Sequence, residues 1–249
     1  MLPEIPTEEF AAAVDDCAAD TLWEAGITEP PIDATLIAER IGLVVASDET
    51  MSVRGRFVRL ADAAGRDTEH GTIVVGPAER PERMQWAVAH EIGESVAYRV
   101  FATLGVQPEV APSSAREIVA NHLASCLLLP RPWFAAAGRE LDWDLFGLKQ
   151  RFATASHELI ARRMLEMRPP IVITMCDQGS IRWRRSNAAG RPPKMFPREH
   201  SAWQRCHERN VPTSATLDPA ETGLELVRAW PIHEPDWKRE ILRSEVAEC

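Results

Sequence analysis

Apolar residues recur every four positions from Met84 through Val88, Ile92 and Val96 to Val100, which predicts one long helix with a single buried stripe. Pro81 suits its first position, where a missing N–H has no helical partner to lose. Upstream, Thr7–Glu24 is rich in Ala and acids and reads as a helix ending near Gly26. Asp33 then caps a second helix through Glu39 and Arg40, with Gly42 as its stop. Leu43–Val45, Arg56–Leu60 and Thr72–Val75 are short β-prone runs between turn-rich stretches, so a small sheet is expected. After a loop from Leu104 to Pro112, Ser114-Ala115-Arg116-Glu117 opens the next helix in capping-box form. That helix runs to about Leu128 and is closed by Pro130 and Pro132. Two shorter helices follow, Trp143–Phe152 and one from near Ser156 to just before Pro169-Pro170.

The double proline marks the expected domain boundary, giving residues 1–168 and 169–249. Ile171–Cys176 and Ser180–Arg185 form a hairpin around Asp177-Gln178-Gly179. The remainder is punctuated by proline and shows no periodicity strong enough to assign. The fold class is α+β: a mostly helical domain with a small sheet, followed by a small C-terminal domain or extension.

Composition narrows this picture. At 249 residues, 45% of them hydrophobic, the chain can bury a substantial core and is not wholesale disordered. A net charge of −9 argues against a general nucleic-acid binder. The basic stretch Arg182, Arg184, Arg185, Arg191, Lys194 and Arg198 reads as a solvated loop. The first ten residues carry acids and a proline where a signal peptide needs basic and then apolar residues. No apolar run approaches the roughly 20 residues of a membrane span. Five cysteines without C-x-x-C spacing fit a reduced, cytoplasmic protein. Cys206 and His207 are adjacent, but a pair without further partners reads as incidental.

The long helix carries Ala89-His90-Glu91-Ile92-Gly93-Glu94-Ser95, the spacing H-E-x-x-E. Residues four apart share a helix face, so His90, Glu94 and Tyr98 form a ladder roughly opposite the apolar stripe. No lysine accompanies them to make a simple i,i+4 ion pair. Zinc takes imidazole nitrogen and carboxylate oxygen, and a catalytic site uses three protein ligands with one position open. Glu91, next to the first ligand, is placed to take a proton from the attacking water. Gly93 leaves space above the helix for a third ligand or substrate.

Glu117-Ile118-Val119-Ala120-Asn121-His122-Leu123-Ala124 and Leu127-Leu128-Leu129-Pro130 keep the spacing of the pattern E-x-x-A-N-x-F-A-x-x-L-L-M-P, with Leu123 and Leu129 in place of the Phe and Met. With the preceding A-H-E-I-G, this resembles the ImmA/IrrE metallopeptidases over roughly Ile32 to Met167. The resemblance implies a zincin-like fold, His90 as a zinc ligand, Glu91 as general base and Glu117 as third ligand. Glu117 also has the plainer reading of a capping-box acid. Glu94 stands where the family has histidine. A carboxylate still binds zinc, but two carboxylates and one imidazole offset the full +2 of the ion and lower its Lewis acidity. The oxygen-rich set also suits Mn2+ or Fe2+. His122 is an alternative ligand at a variable position of the motif. Tyr98 is a supporting residue or a donor to the transition-state oxyanion.

The expected activity is zinc-dependent limited proteolysis of a protein substrate, by resemblance a helix-turn-helix repressor, in a stress or mobile-element response. One rival is a non-catalytic sensor or interaction protein on a retired peptidase fold. Another is a DNA-binding regulator acting through the helix-turn-helix-like segment within residues 143–167, although nucleic-acid binding is not the expected role.

Overall fold

In the computed structural model, which describes residues 5–50, 55–61, 67–107 and 112–247, the polar caps and turn glycines set the first helix ends. Helix α1 (Thr7–Glu24) turns off at Gly26, whose φ of +61° suits a residue without a Cβ. Asp33 accepts the backbone N–H groups of Thr35 and Leu36 and starts α2 (Ala34–Arg40). Strands β1 (Val44–Ser47), β2 (Gly55–Ala61) and β3 (Asp67–Val75) form a sheet in the order β1-β3-β2. β1 lies parallel to β3, and β2 lies antiparallel to it.

Helix α3 (Pro81–Thr103) has Pro81 in its first turn and buries the expected stripe: Val88, Ile92 and Val100 are fully enclosed. Each such aliphatic side chain withdrawn from water contributes about 1.5–3 kcal/mol. α3 packs on α4 (Ser113–Leu128), whose Val119, Ala120, Leu123 and Leu127 are fully buried, and also meets α1, α2, β2 and β3. α5 (Arg131–Glu140) and α6 (Leu145–Arg151) complete this part. Pro130 and Pro132 mark the end of α4 in the sequence, and no pattern there predicts α5. The same prolines open that helix, since Pro130 is its N-cap and Pro132 lies in its first turn. Arg131 also ties it to α1 through a 2.5 Å ion pair with Asp15.

The chain divides into two compact units, residues 1–156 and 157–249. The boundary expected from the double proline, Pro169-Pro170, lies a short way inside the second unit. The shift concerns α7 (His157–Met164), which belongs to the second unit with β4 (Ile171–Asp177), β5 (Ser180–Ser186) and β8 (Trp237–Val246). Glu158 of α7 binds Arg239 of β8 at 2.9 Å, and the Arg162 guanidinium lies 4.9 Å from the Trp183 ring centre of β5. The helix-turn-helix-like segment is therefore shared between units: α6 lies in the first and α7 in the second.

In the second unit, α8 (Pro197–Arg209), β6 (Thr213–Thr216), α9 (Pro219–Thr222) and β7 (Leu224–Glu234) fill the stretch that showed no periodicity. Its sheet is antiparallel in the order β5-β4-β8-β7-β6, and α8 covers β6, β7 and β8. The core between them includes Val172, Cys176, Ala202, Cys206, Val227 and Leu242. Burial and the nearby Glu240 charge push the Cys206 thiol up to about 12, so it stays protonated. The expected solvated basic loop is partly interior. Arg184 reaches the fully buried Glu199, with both carboxylate oxygens at 3.0 Å, and Arg198 donates to the Thr216 carbonyl. A buried carboxylate needs such a partner because desolvating it alone costs several kcal/mol. Cys249 and residues 108–111 of the expected loop lie outside the described residues.

Candidate metal centre

Residues four apart on α3 put His90 and Glu94 one turn apart on one face. Glu117 arrives from α4, and the distance between the two helices decides whether it can join them. Gly93 sets that distance. A Cβ there would lie 2.8 Å from the Ala120 carbonyl oxygen, closer than real Cβ contacts allow. The space expected above Gly93 is thus filled by the α4 backbone, and the close approach of the two helices brings Glu117 towards His90 and Glu94.

The result is a converged set. His90 Nε2 lies 3.6 Å from Glu117 Oε2, and one ligand atom from each of His90, Glu94 and Glu117 lies within 4.8 Å of the others. Zinc bonds of ~2.0–2.2 Å place tetrahedral ligand atoms roughly 3.3 Å apart. The donors therefore fit a divalent ion after small side-chain rotations, and their nitrogen and oxygen chemistry suits one.

The capping-box alternative for Glu117 fails. α4 begins at Ser113 with Pro112 as N-cap and no side-chain cap. The Glu117 carboxylate instead accepts a hydrogen bond from Asn121 Nδ2 at 2.9 Å, and the same amide also reaches the Glu117 carbonyl at 2.8 Å. Asn121 thus orients the candidate ligand Glu117, in the manner of an outer-sphere partner. It stood in the quoted motif, but its role did not follow from spacing.

Glu91 differs from its neighbours by being buried, at 8% exposure, while Glu117 is open to solvent. Burial raises its carboxyl above the usual glutamate range, with the charges of Glu94 and Glu117 adding to the effect. His90 and the backbone N–H of Phe57 on β2 oppose it. Gly55 makes room: a Cβ there would come 3.0 Å from Glu91 Oε1. Nothing in the sequence singled out Gly55, because its role depends on β2 passing the α3 face.

Two further predicted residues have other partners. Tyr98 is 53% exposed and its hydroxyl accepts from Arg99 Nε at 3.3 Å. His122 meets the Phe10 ring edge-on, centroids 5.2 Å apart. The arginines of the helix-turn-helix-like segment are internally engaged. Arg162 binds Glu158, and Arg163, only 1% exposed, binds Glu166. No helix among the described residues is long and apolar enough to cross a membrane.

Comparisons with known proteins agree with this geometry. No curated protein matches the chain. Among solved structures, a Mycobacterium tuberculosis transcriptional regulator shares the fold at a TM-score of 0.63 and 18% identity, covering 96% of this chain and 81% of that one. The family model of the IrrE N-terminal-like domain matches residues 38–165, a span that holds β1 to α7 and all of His90, Glu91, Glu94 and Glu117. With just over half of its length matched, the chain belongs to the IrrE N-terminal-like domain family, Peptidase_M78.

Proposed function

We propose that the chain is a metal-dependent endopeptidase that uses zinc held by His90, Glu94 and Glu117, with Glu91 as its general base. The observation that carries this reading is the convergence of those ligand atoms within 4.8 Å beside a buried carboxylate on the same helix. A zinc ion bound there supplies Lewis acidity to the scissile carbonyl and makes water easier to deprotonate. Glu91 takes the proton of the attacking water and delivers it to the leaving amine nitrogen. The Phe57 N–H holds the carboxylate in place while this happens.

The substrate class is a protein segment. β2 is an edge strand among the described strands and runs past Glu91, so an extended peptide can add to it through main-chain hydrogen bonds. Resemblance points to a helix-turn-helix repressor in a stress or mobile-element response, and a fold relative is described as a transcriptional regulator. Glu94 makes the centre slower than a two-histidine site, because two carboxylates cancel the ion's charge, and it opens the site to Mn2+ or Fe2+.

The test is cleavage of a proteome-derived peptide library by the zinc-loaded chain, read by mass spectrometry. Glu91→Gln should retain zinc and lose about 10²–10⁴-fold in cleavage. Undiminished cleavage by that variant would sink the mechanism, and no cleavage by the wild-type chain under any of the three metals would favour a non-catalytic sensor.

A further inference from the structure

We propose that the C-terminal unit holds a second metal centre, a divalent first-row ion bound by His207, His233 and Glu240. The arrangement follows from register and helix periodicity. Pro231 of β7 pairs with Glu240 of β8, and His233 is two residues along from Pro231, so His233 and Glu240 share one sheet face. Cys176 of β4 pairs with Glu240 from the other side. Helix α8 covers this sheet, and its Trp203 and His207 are one turn apart on the same face. Both reach Glu240: Trp203 Nε1 donates to Oε2 at 2.9 Å, and His207 Nδ1 lies 2.8 Å from Oε1. His233 Nε2 lies 2.6 Å from that same Oε1. Three ligand atoms from three elements therefore lie within 4.8 Å of one another.

Charge is the reason to place an ion there. Glu240 is fully buried, and a buried carboxylate requires compensation. The other fully buried glutamate of the unit, Glu199, has the permanent charge of Arg184. Glu240 has only imidazoles as ionic partners among the described residues, and both crowd one oxygen while the indole N–H holds the other. Two imidazoles and one carboxylate are a set used for zinc and iron(II), and an oxygen already fixed by an outer hydrogen bond is typical of such carboxylates. The side chain of His207 is 30% exposed, which gives the ion a route in and an open position for water or an exogenous ligand. Cys206, which stood beside His207 in sequence, belongs to the apolar core instead. The carboxylates next to its histidines in sequence, Glu208 and Glu234, are exposed, unlike the buried Glu91. Its effect is to fasten α8 to the β7–β8 hairpin, so metal supply sets the stability of this unit.

The test uses the full chain with His90→Ala and Glu117→Ala, which disable the first centre, stripped with chelator and titrated with Zn2+ and then Co2+. One equivalent should bind, with visible cobalt bands and a rise in unfolding temperature. Adding His207→Ala, or Glu240→Gln, which still accepts from Trp203, should weaken binding by roughly a hundredfold or more, beyond the 10–100-fold typical of outer-sphere changes. Far-ultraviolet circular dichroism confirms folding; if one variant is unfolded, the other decides. No bound metal in the His90→Ala/Glu117→Ala chain, or binding unaltered in a folded variant, overturns the proposal. Because the first centre is disabled throughout, the outcome does not depend on the peptidase reading.

Discussion

The two His/Glu clusters of this chain are built by opposite means. The first takes His90 and Glu94 from one helix and Glu117 from the next, with two carboxylates to one imidazole and Glu117 open to solvent. The second takes His207, His233 and Glu240 from a helix and two strands, with two imidazoles around a carboxylate that has no exposure at all. Only the first has a further buried acid, Glu91, next to a ligand. A centre suited to hydrolysis needs a base beside its open position, whereas one without such a base mainly holds elements together. Exposure of the carboxylate separates these roles better than the ligand list does.

The largest expected effect lies in the buried carboxylate. Trp203→Phe removes the donor to Glu240 Oε2 and should destabilise the metal-free chain by about 1.5–3 kcal/mol in urea unfolding. Asn121→Ala removes the matching donor to the exposed Glu117 and should change stability by less than ~0.5 kcal/mol. Its cost should appear instead as a roughly 10–100-fold loss of zinc affinity in a chelator competition. Equal stability costs at the two positions would break the contrast.

Gly93→Ala tests how the first centre is held. Helix propensity alone favours alanine by about 1 kcal/mol, but a Cβ 2.8 Å from the Ala120 oxygen must push α3 from α4. Overpacking should win, giving about 1–3 kcal/mol of destabilisation and weaker zinc binding as Glu117 moves off. A stabilised variant with intact affinity would show that the helix spacing is not what gathers the ligands.

Glu94→His restores a two-histidine set and leaves about +1 on the zinc site. Cleavage near neutral pH should rise about tenfold, roughly 1.4 kcal/mol in barrier, with the acid limb of the rate profile moving to lower pH. An unchanged profile would mean that Glu94 does not touch the ion.

The smallest effect concerns Glu91 in the metal-free chain. Burial raises its folded pKa, so the stability it contributes is present at pH below the ordinary glutamate value and is lost as pH rises through the folded value. Glu91→Gln should therefore be more stable than wild type at neutral pH and equal to it near pH 3. A constant difference across that range would point to packing instead.

Legibility follows the same division. The helix ends at Asp33, Pro81 and Gly42, the apolar stripe from Val88 to Val100 and the pair His90/Glu94 are all set by residues within a turn or two, and each is found where the pattern puts it. Glu117 needed a second motif, since no local rule says which helix packs beside α3. α5 was hidden because proline signals both an end and a beginning. Beyond Pro197 the pattern fails for a physical reason. β7 and β8 are long strands carrying Arg, Glu, Trp and Pro on buried positions, and several of their polar groups find partners on other elements, as Arg239 does on Asp177 of β4 and Ser244 on Glu199 of α8. His233 and Glu240 meet only through strand register, which no spacing rule reveals.

The central claim is that His90, Glu94 and Glu117 hold one ion beside Glu91. Anomalous diffraction at the zinc edge from crystals of the zinc-loaded full chain tests it directly. The account predicts a peak ~2 Å from His90 Nε2 and from a carboxylate oxygen of both Glu94 and Glu117, with Glu91 outside bonding distance. A zinc-loaded crystal without a peak at these residues, or with Glu91 as a ligand in place of Glu94, would contradict it.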